Sequence, residues 1–385
     1  MPALRTLFSG GELFGVGAQQ AGYTHADGYE LEPKIAAVAQ LNGFDVRVAD
    51  VCAVDYAALP AVDHLHASPS CKNASNANQP GADDNGDPLP RETEQDLACA
   101  DAVCRAIAAH QGETFTLENV YGYRTFQSFD RIREALRAAD FSYEYWHLNA
   151  ADYGVPQTRK RLILIARRGL CHIQRPNPTH RDGGDMFHPA WVGWYAAIAD
   201  ILHTLPPTQP ARWQLERLPK EIRESIMISN AKTEYGDGAR SACHLSCNTQ
   251  HGLAGRARAY IVGGGNTQLG QIDSRARPDA DPMFTVSASD GARKVAAAYL
   301  LDGDNASHQS GATLRRADQP AMTMRGTRTP AHRAYTAGRW VRMTVQALGR
   351  FQTVPDDYRG LTAEINGNGV SCELARQIML AVRNA

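Results

Sequence analysis

Three short segments of this 385-residue chain carry side chains suited to attack on an electron-poor ring. Cys71 lies in the polar segment Ser68-Pro69-Ser70-Cys71-Lys72, where the neighbouring cation favours the thiolate form of the cysteine. Glu118 follows an apolar run, and the segment Gln157-Thr158-Arg159-Lys160-Arg161 carries paired arginines. A thiolate can add to a ring carbon, an acid can supply a proton to a ring nitrogen, and arginines can hold both. Together the segments predict covalent catalysis on a heterocycle.

Each segment also has an ordinary structural interpretation. A lone cysteine is most often a buried apolar filler. Glu118 is also placed to cap the end of a strand, and the arginine segment alone is typical of a solvated charge run. Period-two alternation puts Gln157, Arg159 and Arg161 on one face of a strand, where the arginines can pair with Glu118 or reach phosphate. The polar surroundings of Cys71, which no core would select, favour the chemical interpretation.

The first half of the chain alternates short apolar segments with helical ones, which is typical of a doubly wound sheet. The predicted strands are Leu4–Phe8, Ala26–Glu30, Val46–Ala49, Val62–Ala67 and Phe115–Glu118, followed by a hairpin of Tyr143–Asn149 and Leu162–Ala166. The predicted helices are Leu13–Ala21, Pro33–Leu41, Thr93–His110, Ser128–Ala139, Val345–Gln352 and Glu373–Val382. The predicted fold class is therefore α/β, with a Rossmann-like sheet and helices on both of its faces.

Candidate ligand-binding residues follow the first three predicted strands. The turn Phe8-Ser9-Gly10-Gly11 precedes the first helix, where backbone N–H groups can approach a ligand. Glu30 can accept hydrogen bonds from both hydroxyls of a ribose, or cap a helix. Asp50 and Val51 suit an adenine amino group and ring, with capping again the alternative for Asp50. We therefore expect an adenosyl ligand at this edge of the sheet.

In the order and spacing of these segments, the chain resembles the cytosine-5 DNA methyltransferases from Leu7 to about residue 383. The resemblance implies that Cys71 is the nucleophile and that Glu118, Arg159 and Arg161 are the other catalytic residues. It also implies S-adenosyl-L-methionine as cofactor. The residues expected to bind it are Phe8, Ser9, Gly10, Gly11, Glu30, Asp50, Val51 and Asn368.

The match to the family is not complete. Ser70 and Lys72 stand where the family commonly has proline and glutamine, and Glu12-Leu13 stands where it usually has further glycines. The segment Gly367-Asn368-Gly369-Val370, by contrast, resembles the closing motif of the family, in which the asparagine borders the methyl donor. A Gly-Asn-Gly sequence by itself would indicate only a tight turn.

The composition changes after Arg168, where prolines interrupt the alternation. The resemblance implies a catalytic methyltransferase domain over 1–185 and an inserted, smaller, β-rich target-recognition domain over 186–334. A C-terminal segment, 335–385, is expected to return to the catalytic domain. Residues 1–174 carry 15 Lys and Arg against 22 Asp and Glu, whereas residues 175–335 carry 19 against 15. This asymmetry fits a middle domain that meets phosphates, although random variation of surface charge is the alternative.

The predicted partner is double-stranded DNA, and residues 76–92, rich in Gly, Pro and Asp, are predicted to form a loop that closes over it. The candidate DNA-contacting residues are Lys72, Asn73, Ser75, Arg256, Arg258, Arg275, Arg277, Arg315, Arg316, Arg325 and Arg328. The predicted reaction flips a cytosine out of DNA, adds Cys71 to carbon 6 and transfers a methyl group to carbon 5. The alternatives are an RNA cytosine methyltransferase and a non-catalytic DNA-binding protein on the same fold.

With 43% apolar and 21% charged residues, the composition is that of an ordinary globular protein. No apolar run approaches the roughly eighteen residues of a membrane span, and no signal peptide precedes the first motif. We therefore expect a cytoplasmic monomer, bacterial or phage-encoded, without membrane association, and with a companion restriction endonuclease as an open question. The eight cysteines are expected to be reduced. Cys243, His244, Cys247 and His251 suit either zinc or a loop with incidental thiols, and we expect no metal.

Overall fold

The structure is a computed structural model. It describes residues 1–70, 73–74, 92–208, 260–262, 276–278, 299–301, 314–323, 332–336 and 339–384. The chain divides into two compact units. The first contains the described residues of Met1–Val192 and Val345–Ala385 together with Thr323, and the second contains those of Gly193–Met322 and Pro330–Thr344.

The first unit is built on a seven-stranded sheet with the strand order β3-β2-β1-β4-β5-β7-β6. Its strands are β1 (Ala3–Leu7), β2 (Thr24–Glu30), β3 (Val46–Val48), β4 (His64–Ala67), β5 (Thr114–Asn119), β6 (Phe141–Asn149) and β7 (Lys160–Arg168). Strands β1 to β5 pair in parallel. Strand β7 is antiparallel to both β5 and β6, which confirms the predicted hairpin at the end of the sheet.

Helices cover both faces of this sheet. The helices of the first unit are α1 (Leu13–Gln20), α2 (Pro33–Leu41), α3 (Glu94–Ala109), α4 (Gln127–Ala138), α6 (Val345–Arg350), α7 (Ala363–Asn368) and α8 (Cys372–Asn384), whereas α5 (Trp194–Ile198) belongs to the second unit. Pro33 occupies the first position of α2, where its missing N–H costs nothing. Thr93 and Asp96 form a capping box that starts α3. The predicted α/β fold class is confirmed.

Two apolar clusters show how the layers pack. On one face, Leu65 of β4 and Phe115 of β5 belong to the same cluster as Val103 of α3 and Ile132 of α4. On the other face, Leu4 of β1 clusters with residues of α1 and α8. A Cβ at Gly17 would lie 2.2 Å from the carbonyl oxygen of Cys372, so only glycine permits α1 to approach the start of α8 this closely. The last helix thus packs within the first unit.

The described part of the second unit contains short antiparallel strands. Four of them form a sheet in the order β11-β10-β12-β13: β10 (Tyr299–Leu301), β11 (Leu314–Arg316), β12 (Arg333–Thr336) and β13 (Arg339–Arg342). The strands β8 (Tyr260–Val262) and β9 (Ala276–Pro278) form a separate pair. The units differ from the predicted domains at both boundaries, since residues 186–192 belong to the first unit and 335–344 to the second. The role of the second unit in target recognition stays a prediction.

None of the helices in the described ranges combines the length and the apolar character that a membrane crossing needs.

Candidate active site

Most of the described candidate residues converge on one edge of the sheet in the first unit. Because β1 to β5 are parallel, their carboxyl ends lie at the same edge. The turn after Leu7, the side chain of Glu30 and the segment from Ser68 therefore lie at the same sheet edge as Asn119, where β5 ends. Strand β7 begins at this edge because it runs antiparallel to β5, with Leu162 opposite Asn119. This brings Arg161 to the same place.

Glu118 and Arg161 form a buried ion pair. The Arg161 Nε lies 2.9 Å from the Glu118 Oε1, and the two side chains are only 11% and 7% exposed. A charge-assisted contact of this kind fixes the carboxylate in one orientation. Of the two contacts open to Arg161 on sequence grounds, Glu118 or phosphate, the structure contains the one with Glu118, and the catalytic role of both residues stays a prediction.

Of the two arginines, Arg161 pairs with Glu118, whereas the described hydrogen bonds of Arg159 go elsewhere. Strand β7 begins at Lys160, and Arg159 precedes it with its backbone N–H donated to the Oδ1 of Asn149 at 3.1 Å. The side chain of Arg159 is buried, and its Nη2 donates to the carbonyl oxygens of Gly367 at 2.8 Å and Gly369 at 2.7 Å. Arg159 therefore positions the segment before α8 instead of touching the acid.

The turn after β1 has left-handed backbone conformations, and one of its N–H groups binds the carboxylate of Glu30. Phe8 and Gly10 have φ values of +57° and +56°, in the left-handed region. The Gly10 N–H donates to the Oε2 of Glu30 at 2.9 Å, and the Ser9 Oγ accepts from the backbone N–H of Tyr29 at 2.8 Å. A Cβ at Gly10 would meet no atom within 4 Å, so the outer side of the turn is open. The turn and Glu30 thus fit the predicted adenosyl ligand.

Glu12 stands where the family that the chain resembles usually has a further glycine. Its φ of +60° is strained for a side-chain-bearing residue, and the side chain is fully buried. The Glu12 Oε1 accepts from the Thr6 hydroxyl and lies 3.0 Å from the Nε2 of His25. Burial opposes the charged form of His25, but the hydrogen bond and charge of Glu12 outweigh it and raise the pKa of the imidazole. Glu12 therefore points beneath the turn and leaves the outer side open.

Asp50 and Val51 lie after β3, as predicted. The Asp50 Oδ1 accepts from the backbone N–H of Cys52 at 2.8 Å and caps a short 3-10 helix, Val51–Ala53. Val51 is buried, and its carbonyl oxygen accepts from the hydroxyl of Tyr56 at 2.8 Å. The capping interpretation of Asp50 is thus confirmed, and contact with an adenine stays a prediction for both residues.

The closing segment lies against the turn that follows β1. Asn368 is exposed and ends α7, and Gly369 follows as the C-terminal cap, so Gly367 and Asn368 belong to a short helix and not to a tight turn. The hydroxyl of Tyr358 donates to the carbonyl oxygen of Gly11. A Cβ at Gly11 would also lie 2.5 Å from the side chain of Ile365 in α7. The segment is thus positioned to border a ligand held by the turn.

Beside the ion pair lies a cleft of about 650 Å³ that sequence reasoning did not find. Its lining includes Tyr121, Arg124, His147, Lys160 and Arg161. Tyr121 stacks on His147 with the ring centroids 3.9 Å apart, and the guanidinium of Arg124 lies 4.5 Å from the Tyr121 ring centroid. Burial, followed by the charges of Lys160, Arg124 and Arg161, lowers the pKa of His147. The cleft is therefore cationic and aromatic, a combination suited to nucleic acid. Tyr121 and Arg124 could have been suspected from the sequence, because they follow Glu118 closely. Nothing in the sequence pointed to His147.

Several predicted residues lie outside the part of the chain that the structure describes. They are Cys71, Lys72, Ser75, Arg256, Arg258, Arg275, Arg325, Arg328, the side chain of Arg277 and the cluster of Cys243, His244, Cys247 and His251. Asn73 is described, and its side-chain amide donates to the Oδ2 of Asp96 at 2.7 Å. Arg315 and Arg316 lie on β11, where Arg316 pairs with Asp318 at 3.0 Å.

The described residues contain no group of three or more histidine, cysteine or carboxylate side chains that suits a metal ion. The described cysteines Cys52, Cys99, Cys104, Cys171 and Cys372 are free thiols.

Comparison with known proteins places these features in one family. The chain matches the family described as C-5 cytosine-specific DNA methylase over residues 4–383, and it belongs to that family. The predicted enzyme class, a DNA cytosine-5 methyltransferase that uses S-adenosyl-L-methionine, is thereby confirmed at the level of the family.

Individual relatives are similar over different lengths. The type II methyltransferase M.AquIA of Picosynechococcus sp. is 26% identical over 250 residues, which are 58% of this chain and 96% of that protein. The type II methyltransferase M1.HphI of Haemophilus parahaemolyticus is 27% identical over 190 residues, 46% of this chain and 48% of that protein. The type II methyltransferase M.SacI of Streptomyces achromogenes is 39% identical over 83 residues, 21% of either chain. The chain thus spans about half or less of the length of the last two.

Among solved structures, a putative DNA modification methyltransferase encoded within an Escherichia coli prophage has a similar fold. Its TM-score is 0.56 at 16% identity, with 100% of this chain and 99% of that chain covered. A mutant of DNMT2 from Spodoptera frugiperda gives a TM-score of 0.50 at 13% identity, with both chains covered completely. At these identities the likeness concerns the fold alone.

Proposed function

We propose that this protein methylates carbon 5 of a cytosine in double-stranded DNA, with Cys71 as the nucleophile. The observation that carries the proposal is the buried pair of Glu118 and Arg161 beside the cationic cleft. A carboxyl group held in this way suits the ring nitrogen and the amino group of a cytosine. In the sequence Cys71 follows β4, and β4 is the strand next to that of Glu118.

The chemistry begins outside the duplex, because a stacked base offers no access to carbon 6. Glu118 holds the flipped cytosine by its ring nitrogen and amino group and makes carbon 6 more electrophilic. The thiolate of Cys71 adds to carbon 6, and this addition makes carbon 5 nucleophilic. S-adenosyl-L-methionine, when bound, supplies the electrophilic methyl group that carbon 5 takes up. Loss of the carbon-5 proton and expulsion of the thiolate then restore the aromatic ring.

The cofactor is assigned to the edge formed by the first three strands. Glu30 would accept hydrogen bonds from the ribose, because two backbone N–H groups, of Gly10 and Glu32, each at 2.9 Å, hold its carboxylate in place. The turn Phe8-Ser9-Gly10-Gly11 would approach the ligand with its open outer side. Asp50 and Val51 would contact the adenine, and Asn368 would border the methyl donor from α7.

Target recognition is assigned to the second unit and to the arginines named above on sequence grounds. Its short antiparallel strands and the excess of basic residues in this part of the sequence support the assignment. The proposal also places the protein, bacterial or phage-encoded, in the cytoplasm as a monomer of a restriction-modification system, with a companion restriction endonuclease as an open question.

Bisulfite sequencing of DNA from cells that express the protein tests the function directly. We expect protected cytosines in one sequence context and none when Cys71 is replaced by serine. Bisulfite sequencing of RNA from the same cells distinguishes the alternative substrate, since protection in RNA alone would contradict the proposal. Binding to DNA with no protected cytosine in either nucleic acid would instead identify a non-catalytic protein.

A further inference from the structure

A row of hydrogen-bonded side chains runs along β4 and β5 to the edge that carries the candidate active site. The alternation in β4 places His64 and His66 on one face, and the parallel register sets them opposite Thr114 and Thr116. The Nδ1 of His64 lies 2.8 Å from the Thr114 hydroxyl, and its Nε2 lies 2.9 Å from the Thr116 hydroxyl. The Nδ1 of His66 lies 2.8 Å from the same Thr116 hydroxyl, and its Nε2 lies 2.8 Å from the Ser68 hydroxyl. The row is continuous and ends at Ser68.

Both histidines in this row are neutral at ordinary pH. Burial lowers the pKa of His66 to about 3. Burial, with minor contributions from His66 and His110, lowers the pKa of His64 well below its usual value of 6.5. Each neutral imidazole has one N–H donor and one acceptor nitrogen. The hydroxyl of Thr116 has a single hydrogen but faces a nitrogen of each histidine, so one nitrogen accepts from it and the other donates to it. The tautomers of the two histidines are therefore coupled.

The hydrogen bond of Thr114, at the end of the row away from Ser68, determines which group donates and which accepts at each step along the row. The hydroxyl of Thr114 donates to the backbone carbonyl oxygen of Asp63 at 3.3 Å, so it accepts from the Nδ1–H of His64. The Nε2 of His64 then accepts from Thr116, which in turn accepts from the Nδ1–H of His66. The Nε2 of His66 is left as an acceptor, and the Ser68 hydroxyl donates its hydrogen to it. The hydroxyl of Ser68 can consequently act only as a hydrogen-bond acceptor toward any further group.

Ser68 lies between the two halves of the candidate site. Its backbone N–H donates to the carbonyl oxygen of Leu7 at 3.2 Å, immediately before the turn assigned to the cofactor. The carbonyl oxygen of the next residue, Pro69, accepts from the Nδ2 of Asn119 at 3.0 Å, beside Glu118. The Ser68 side chain is half-buried, and His66 is its one hydrogen-bond partner within the described ranges. The Ser68 hydroxyl is thus an acceptor at the sheet edge that carries both the turn after β1 and Glu118.

We propose that Ser68 accepts a hydrogen bond from the ammonium group of the methionyl part of S-adenosyl-L-methionine, and that His66 is the positioning residue that sets its polarity. The ammonium group carries three N–H donors and no acceptor, so it matches a hydroxyl whose own hydrogen is already used. This inference rests on the proposed function, because it assumes that the turn after β1 holds this cofactor.

Titration with two ligands distinguishes a direct contact of Ser68 with the ammonium group from a purely structural role of Ser68. S-adenosylhomocysteine contains the ammonium group, whereas 5′-methylthioadenosine lacks the whole aminoacyl part. In calorimetric titrations of the full chain, Ser68→Ala is expected to lower the affinity for S-adenosylhomocysteine by about tenfold or more, because a hydrogen bond to a charged group is lost. The affinity for 5′-methylthioadenosine is expected to stay within about twofold of the wild-type value. Ser142→Ala is the matched control, since this hydroxyl bonds to the carbonyl oxygen of Gly169 away from the site.

Substitution of His66 tests the positioning role. His66→Phe keeps an aromatic ring in place of the imidazole that stacks on Phe14 at 3.4 Å, but it removes the acceptor nitrogen. We expect a selective loss of S-adenosylhomocysteine affinity that is smaller than in Ser68→Ala, because the hydroxyl keeps its lone pairs but loses the partner that fixes its hydrogen, and no loss beyond that of Ser68→Ala when the two changes are combined. Ser68→Thr, which keeps a hydroxyl, is expected to restore most of the affinity. Should His66→Phe fail to fold, Ser68→Ala and Ser68→Thr still decide the question.

The outcomes that overturn the inference differ from those that overturn the function. An unchanged affinity of Ser68→Ala for S-adenosylhomocysteine would exclude the contact, even in an enzyme that methylates DNA. An equal loss for both ligands would show that Ser68 acts on the fold of the turn and not on the ammonium group. If the wild-type protein binds neither ligand, the assignment of the cofactor site fails first, and the inference fails with it.

Discussion

The guanidinium of Arg159 donates to the carbonyl oxygen of Gly367 across 2.8 Å, and the same nitrogen reaches Gly369 at 2.7 Å. This contact joins the segment that precedes β7 to the end of α7, close to the turn that follows β1. A Cβ at Gly369 would lie 2.6 Å from Leu13 at the start of α1, so little space separates α7 from the helix that follows the turn. Arg159 thus connects the side of the site that holds Glu118 and Arg161 to the side assigned to the cofactor.

Replacement of Arg159 by lysine tests this connection. Lysine keeps the charge but loses the planar geometry that reaches both carbonyl groups. We expect the free energy of unfolding to fall by about 2–4 kcal/mol, because two buried hydrogen bonds from a charged donor are disturbed. Urea denaturation measures the change. Arg131→Lys is the matched control: its pair with Asp101 is about half exposed, and we expect a much smaller loss. Equal losses in the two variants would contradict the assigned role.

The contrast between Arg159 and Arg161 shows where sequence periodicity succeeds and where it fails. Alternation along a strand put both arginines on one face, where they could pair with Glu118 or reach phosphate. Arg161, which lies within β7, pairs with Glu118, whereas Arg159, which precedes β7, donates to Gly367 and Gly369. The backbone of Arg159 is fixed by Asn149, a residue at the end of the neighbouring strand, and no local pattern in the sequence encodes that contact. The start of β7 therefore depends on a tertiary hydrogen bond, between Arg159 and Asn149.

The fold itself was accessible from sequence, because its strands and helices are long enough for period and capping signals to be read. The six-residue helix α7 was missed, since its Gly-Asn-Gly ending suggested a turn. The buried row from Thr114 to Ser68 was also missed. Histidine and threonine are unremarkable in a strand until the register between β4 and β5 places them in contact. Glu12 was recognised as a departure from the family, but its inward direction depends on His25, thirteen residues later.

Cys71→Ser is expected to abolish methyl transfer while leaving DNA binding largely intact. A hydroxyl ionises far less readily than a thiol near neutral pH, so the serine does not add to carbon 6 at a useful rate. Electrophoresis with DNA containing 5-fluorocytosine measures the covalent complex, since fluorine blocks the proton loss that releases the enzyme. Cys99→Ser, in the buried face of α3, is the control and should still form the complex. Wild-type methylation by the serine variant at position 71 would refute the mechanism.

Lys160→Ala is expected to weaken DNA binding with little dependence on sequence. Lys160 is exposed and lines the cationic cleft, so we expect it to neutralise a phosphate. The slope of log K against log salt concentration should then decrease in magnitude by about 0.9, the value for one lost phosphate contact. Fluorescence anisotropy over a salt series measures the slope. Lys34→Ala, an exposed lysine on α2, should leave it unchanged, and an unaltered slope in Lys160→Ala would remove the cleft from the DNA interface.

Glu30→Gln is expected to lower the affinity for S-adenosylhomocysteine by at least about tenfold. The amide keeps the size of the side chain but loses the charge that strengthens hydrogen bonds from the ribose hydroxyls, each bond contributing roughly 1.5–3 kcal/mol. Calorimetric titration gives the dissociation constant. Glu32→Ala, two residues later and exposed, serves as control. An unchanged constant in Glu30→Gln would place the ribose elsewhere.

The buried neutral histidines should make the protein sensitive to acid. Burial holds the folded-state pKa of His66 at about 3 and that of His110 at about 4, while the unfolded chain binds these protons near pH 6.5. Below pH 6.5 the unfolded state therefore takes up more protons than the folded state. The free energy of unfolding falls as the pH falls, with a slope approaching about 1.4 kcal/mol per pH unit for each such group. This loss continues until the pH reaches the folded-state pKa.

Urea denaturation between pH 6.5 and pH 4.5 measures that slope. In His66→Phe one of the titrating groups is absent, so its slope should be shallower than that of the wild type by nearly one proton. His25 provides a control with the opposite sign, because Glu12 raises its pKa in the folded state. The stability it contributes is complete below pH 6.5 and is lost only as the pH rises through the raised value, so His25→Gln should leave the acid slope unaltered. Identical slopes in the wild type and His66→Phe would mean that His66 is already charged in the folded protein. The hydrogen bond at the end of the row would then be reversed, with the Nε2–H of His66 donating to the hydroxyl of Ser68.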